Sequence, residues 1–289
     1  MLIHLVGNVH RPDALRASER AALWLTKRGH VVTVEPETAR RTGLPEVAAE
    51  LFGDGAGLVI AFGGDGTVIR AAHLASPRGT PILGVYYGTF GFVTQCTGDE
   101  LHSVLESFFA GELQIERRMM LEVELLRADR PVAVLQALNE AVLQRAVTSR
   151  LLTFDVRVDG YDLTRYPADG IILSTPTGST AYNLSAGGPI MDPEAEAICM
   201  VPLSPHTLAA RPLILSPERE VVLKVQNGDG DSVLSTDGMQ RLHVVPGDVV
   251  RVRRSSRVTN LIRVEKDDFL MKLGRRLLWG QNILGESAQ

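Results

Sequence analysis

Asp65 is the one carboxylate in the stretch Gly63-Gly64-Asp65-Gly66-Thr67, which directly follows the apolar run at residues 58–62. Glycines leave no Cβ in the path of a ligand and tolerate unusual backbone angles, so such a loop lets backbone N–H groups approach an anion. Residues 68–75 are rich in helix formers, and Thr67 is placed to cap them. A helix N-terminus attracts negative charge, which makes this junction a candidate phosphate site. Neither G-x-x-x-x-G-K-[ST] nor G-x-G-x-x-G is present. Without the phosphate-binding Lys, a metal ion is expected to neutralise any phosphate held here. A tight strand-to-helix turn capped by Asp65 would use the same residues for geometry alone.

Two further groups could do chemistry. Asn139-Glu140 interrupts the apolar runs 132–138 and 141–143. A carboxylate backed by an amide suits a pair of vicinal hydroxyls, whereas the competing reading is an exposed bend. Residues 169–189, from Asp169-Gly170 through Thr175-Pro176-Thr177-Gly178-Ser179-Thr180-Ala181-Tyr182 to Ser185-Ala186-Gly187-Gly188-Pro189, form a dense loop of hydroxyls and glycines after a short strand. Tyr182 adds an apolar face with a polar tip.

These groups need a scaffold. Apolar runs at 2–6, 31–34, 58–62 and 81–85 read as strands, alternating with helical patterns at 13–28, around 46–51 and at 101–109. That alternation predicts a parallel sheet flanked by helices, with the glycine loop at the carboxyl end of a strand, where such sheets bind ligands. From about residue 117 the pattern changes to closely spaced β segments at 121–126, 132–138, 152–158, 171–174, 221–225, 249–252 and 260–264, with turns at 159–160, 227–228 and 246–248. The expectation is an all-β, antiparallel, sandwich-like domain over 117–264. Residues 269–278 have helical spacing and are expected to return to the first domain, giving 1–116 plus about 265–289 as the α/β domain.

Gly63–Thr67 resembles the GGDGT motif shared by NAD kinases, diacylglycerol and sphingosine kinases and, more loosely, 6-phosphofructokinases. The loop at 88–94 is similar to the G-x-x-G-F-L-T element of NAD kinases, with Val93 where Leu is usual. Asn139-Glu140 and the string 169–189 match that family in order, Asn183 standing where Ser is frequent. Pro205-His206-Thr207-Leu208 and Thr236-Asp237-Gly238 extend the match. The resemblance to the NAD kinase family implies phosphoryl transfer from ATP or polyphosphate to the 2′-hydroxyl of the adenosine ribose of NAD, with Mg²⁺ or another divalent metal. It implies Asp65 as general base, and Gly63, Gly64, Gly66 and Thr67 as the phosphate loop, Gly66 also touching NAD. Asn139 and Glu140 would be ribose contacts, and Thr180, Ala181, Tyr182 and Ser185 the walls around the bases. Asp169 would lie toward the nicotinamide end in family oligomers. His206 and Asp237 are possible contacts, His206 being equally readable as a turn residue. A homodimer or homotetramer is implied by resemblance alone.

Composition narrows the remaining classes. The 289-residue chain is 45% hydrophobic with a formal net charge of −4, so no basic field draws it to nucleic acid or anionic lipid. Its two cysteines, Cys96 and Cys199, show no paired spacing. The start Met1-Leu2-Ile3-His4 lacks a basic leader, and a cytoplasmic protein without membrane insertion is expected. A GGDGT lipid kinase and an NAD(H)-binding regulator without phosphoryl transfer remain as rivals. A lipid kinase has no use for the 175–182 stretch, while a regulator could keep every binding loop.

Overall fold

The computed structural model of the chain describes residues 1–88, 91–146, 152–226, 232–265 and 268–277. The chain divides into two compact units. One holds Met1–Ala71, Pro81–Glu116 and the described residues from Leu261 on; the other holds Ala72–Thr80 and Arg117–Asn260.

In the first unit, parallel strands run in the order Val31–Val34, Leu2–Gly7, Ala56–Gly63, Ile82–Tyr86. Strands of such sheets are covered on both faces, which is why their sequences read as unbroken apolar runs. Leu58 through Gly63 are all buried. Helices Pro12–Lys27 and Leu101–Phe109 lay Ala14, Ala21, Leu25, Leu101 and Leu105 on the same core. The helix expected around 46–51 is instead Pro36–Thr42, with one 3-10 turn at Ala49–Leu51. Its signals are local: the Glu35 side chain accepts from the N–H groups of Glu37 and Thr38, Pro36 opens the first turn, and Gly43 ends it at φ 70°.

In the second unit, six antiparallel strands run in the order Leu213–Leu215, Ile198–Leu203, Gly170–Ser174, Glu140–Arg145, Ser232–Thr236, Gln240–Val244. A second antiparallel layer has Tyr161–Ala168, Leu152–Val158, Val221–Val225 and Val249–Arg263 in order, with the hairpin Gln114–Arg127 and Arg130–Ala137. Leu143, Ile171, Met200 and Leu234 of one layer share a core with Phe154, Leu223 and Val250 of the other. The fold is therefore an α/β unit with a parallel sheet and an antiparallel, sandwich-like β unit.

The segments 249–252 and 260–264, expected as separate strands, are one strand, Val249–Arg263. The polar stretch that suggested a break carries arginines with carboxylate partners. Arg253 pairs with Glu122 at 2.6 Å, and Arg254 pairs with Glu196 and with Glu218 at 3.3 Å. The turn expected at 227–228, together with Thr89, Phe90 and Leu278, lies outside the described residues. Among the described residues no helix is long and apolar enough to cross a membrane.

Candidate phosphate loop and hydroxyl-binding pocket

Strand Ala56–Gly63 delivers the glycine loop, and helix Asp65–Ala75 starts at the carboxylate itself. Thr67 is thus inside the first turn and is not the cap expected for it; its N–H and that of Val68 reach the Gly64 carbonyl at 2.9 and 3.3 Å. The Asp65 side chain does not cap its own helix. Its Oδ2 accepts from the Phe92 N–H at 2.8 Å and its Oδ1 from the Val93 N–H at 3.0 Å. Gly91 is needed for that approach, because a Cβ there would sit on the Asp65 carboxylate. At Gly64 and Gly66 an added Cβ would meet nothing within 4 Å among the described residues. Packing among the described residues therefore does not demand glycine at these two positions.

In the second unit, Asn139 and Glu140 stand at the start of strand Glu140–Arg145 and are only 9% and 7% exposed, which ends the exposed-bend reading. Asp237 explains their placement. It lies with Gly238 at the centre of a turn, at φ 50° and 68°, the left-handed pair that an Asp-Gly hairpin turn requires. From there its buried carboxylate accepts the N–H groups of Leu138, Asn139 and Glu140 at 2.8, 2.8 and 3.0 Å, and faces His73 Nε2 at 2.7 Å. The Thr175–Gly178 turn closes over the same strand. The Thr175 N–H donates to the Asn139 carbonyl at 2.8 Å, and its hydroxyl donates to the Leu138 carbonyl at 2.5 Å and accepts the Gly178 N–H at 3.1 Å.

Two buried acceptors in this frame, Asn139 Oδ1 and Glu140 Oε2, have no hydrogen-bond partner among the described residues. Buried polar atoms are almost always satisfied, so these two open atoms are candidates for contact with hydroxyl or amide groups of a ligand. Burial, with the neighbouring Asp237 charge adding to it, pushes the Glu140 carboxyl up to about 8, the Tyr182 backbone N–H working the other way. The folded value lies above the unfolded one, so this group stabilises the fold fully below about pH 4.5, and that contribution is lost as pH rises through about 8. The ligand-free protein is expected to lose about 3–6 °C of thermal midpoint between pH 6 and pH 9. In Glu140→Gln, which stays neutral, calorimetry at the same two pH values should show most of that loss gone.

The remaining expected residues lie nearby in the chain but differ in setting. Asp169 pairs with Arg145 at 3.0 Å, and with Tyr182 and Leu203 they line a cleft of about 260 Å³. Tyr182 is 42% exposed and Ser185 is exposed, while Thr180 and Ala181 are half-buried, the Ala181 N–H on the Gly178 carbonyl at 2.9 Å. Asn183 is a staple of the loop, donating to the carbonyls of Ser179 and Pro189 at 3.2 and 3.0 Å. His206 is exposed, its backbone N–H bound to the Pro167 carbonyl at 2.9 Å. The sequence reading did not single out His73 as the partner of Asp237, nor Arg118, a buried side chain whose Nη1 is 3.4 Å from the Thr177 hydroxyl. Both contacts span long sequence separations and leave no local pattern.

Residues 3–113 match the ATP-NAD kinase N-terminal domain and residues 138–264 the ATP-NAD kinase C-terminal domain. The NAD kinase of Geobacter metallireducens is 38% identical over 96% of this chain and 99% of that protein, and the NAD kinase of Moorella thermoacetica is 39% identical over 96% and 89%. Among solved structures, yeast NADH kinase complexed with NADH superposes with a TM-score of 0.91 at 26% identity, covering 99% of this chain and 90% of that one. An NAD kinase from Archaeoglobus fulgidus, at 23% identity, shares the fold with a TM-score of 0.74 over 95% of this chain and 98% of that one. With both domain families matched in order and full-length relatives well above 30% identity, the chain belongs to the NAD kinase family.

Proposed function

We propose that the protein transfers the terminal phosphoryl group of ATP to the 2′-hydroxyl of the adenosine ribose of NAD, giving NADP. The observation that carries this reading is the pair of unpartnered buried side-chain oxygens on Asn139 and Glu140, whose backbone N–H groups Asp237 holds. Vicinal ribose hydroxyls are the donors that suit them. The names of the two matching domain families support ATP as donor, and the NADH bound to the yeast relative supports a dinucleotide as acceptor.

Phosphoryl transfer asks mainly for positioning and charge neutralisation. Asp65 takes the hydroxyl proton, and the backbone at Gly63, Gly64, Gly66 and Thr67 receives phosphate. Thr180, Ala181, Tyr182 and Ser185 line the bases, with Asp169 toward the nicotinamide end. Residues 117–264 make the NAD-binding portion, and 1–116 with about 265–289 the portion carrying the glycine loop. Asp237 acts behind Glu140 rather than on the ligand. Cytoplasmic location and a homodimer or homotetramer rest on composition and family resemblance.

The charge on the phosphates needs a cation, since the glycine loop has no Lys. Among the described residues no group of three His, Cys, Asp or Glu side chains could cage a metal. Mg²⁺ suits such a site, because it commonly binds through substrate phosphates and one or two carboxylates, and Asp65 is the carboxylate of the loop. Bound there, it would neutralise phosphate charge. EDTA-treated protein assayed without added metal is expected to form NADP at under a hundredth of the Mg²⁺ rate, roughly the effect of removing the main electrostatic stabiliser. An unchanged rate would remove the metal from this scheme.

The reading as a whole is tested by incubating the protein with ATP and Mg²⁺ and, in turn, NAD, NADH, sphingosine and diacylglycerol. NADP or NADPH should form. Phosphorylated lipid would favour the lipid kinase, and NAD binding without any product, with polyphosphate also tried as donor, would favour a regulator.

A further inference from the structure

Lys272 is buried to 2% exposure in helix Asp268–Arg276, although a charged ammonium is costly to bury unless it is hydrogen-bonded. Its Nζ donates to the carbonyls of Phe92, at 3.4 Å, and Thr94. These carbonyls belong to the short loop whose opposite side holds Asp65 through the N–H groups of Phe92 and Val93. The Phe92–Val93 peptide is therefore gripped at both ends: its carbonyl faces the ammonium, and its N–H faces the Asp65 carboxylate. A cation on the carbonyl polarises the peptide and strengthens its N–H as a donor. The helix engages the loop along one face. Phe269 lies against Phe92 with ring centroids 6.4 Å apart, Lys272 takes the carbonyls, and the Arg276 guanidinium stands 5.8 Å from the Phe92 ring centroid. Spacings of three and four residues put these side chains on one stripe.

We infer that Lys272 is a positioning residue for Asp65, fixing the 92–94 loop so that its two N–H groups aim the carboxylate. The inference rests on the reading of Asp65 as the proton acceptor. Loss of the ammonium frees the loop, and a displacement of about 1 Å at a reacting group can cost on the order of a hundredfold. Lys272→Met is accordingly expected to lower kcat by about ten- to a hundredfold while KM for NAD stays within twofold, since Asn139 and Glu140 are held by Asp237 instead. Lys272→Arg, which keeps the charge and donors, should recover most of kcat. In an Asp65→Asn background, Lys272→Met should cost less than about twofold more, because residues acting as a unit are not additive.

Folding is checked by the thermal midpoint of every variant, and Lys272→Gln, which keeps a donor, is carried alongside. Full kcat in folded Lys272→Met, an equal loss in the Asp65→Asn background, or failure of both the Met and Gln variants to fold would each overturn the inference. Loss of kcat in Asp65→Asn with normal kcat in Lys272→Met sinks the role of Lys272 alone. Near-full kcat in Asp65→Asn sinks the reading of Asp65 beneath it.

Discussion

Asp65→Asn is expected to lower kcat for NADP formation by roughly 10²–10⁴, the range of general acid–base catalysis, with NAD affinity within a few-fold of the parent. A ribose hydroxyl is a poor nucleophile near neutral pH, and an amide of the same size cannot take its proton. The fold should survive. Asn keeps one oxygen for the Phe92 or Val93 N–H and gives up the other, charge-assisted bond, a loss of about 1.5–3 kcal/mol. Calorimetric titration with NAD and a coupled NADP assay on one preparation decide the matter. A variant that binds NAD and turns over at the parent rate would reduce Asp65 to a tie for the 92–93 loop.

The second large effect is expected at Gly178→Ala. A Cβ on Gly178 would overlap the Asn139 carbonyl and come within 2.6 Å of the Asn139 Cα. Backbone cannot swing aside as a side chain can, so the Thr175–Gly178 turn has to lift from the strand that carries Asn139 and Glu140. Overpacking of this kind costs about 1–3 kcal/mol and sometimes more. The expected result is a thermal midpoint lower by about 4–8 °C and a KM for NAD raised at least thirtyfold, since the turn presses on the backbone of Asn139, whose side chain is proposed to meet the ribose. Parent-like values for both would show that the turn and the strand are independent.

Much of this architecture was readable in the chain. The apolar runs at 58–62 and 152–158 and the helix at 101–109 declare themselves by period and length, and the glycine loop by composition. Helix Pro36–Thr42 escaped because a seven-residue, polar segment has no periodic face; only its Pro and Gly brackets spoke for it. The start of helix Asp65–Ala75 was misjudged because Gly-Asp-Gly has loop propensity, which tertiary support from the Phe92 and Val93 amides overrides. For the pocket, the pair Asn139-Glu140 was legible as types, but its burial was not. What buries it comes from Thr175 and Asp237, distant in sequence.

That distance has a consequence for how the protein is made and lost. One carboxylate at position 237 gathers three successive amides at 138–140, and the turn at 175–178 locks over them. Long chain loops must close before any of these bonds forms, so the pocket is a late product of folding. A dinucleotide that binds only the folded pocket would stabilise it by about 2.7 kcal/mol at a hundred times its dissociation constant. A core substitution far from the pocket would then present in cells as too little enzyme with a normal KM, and rising NAD would rescue its abundance.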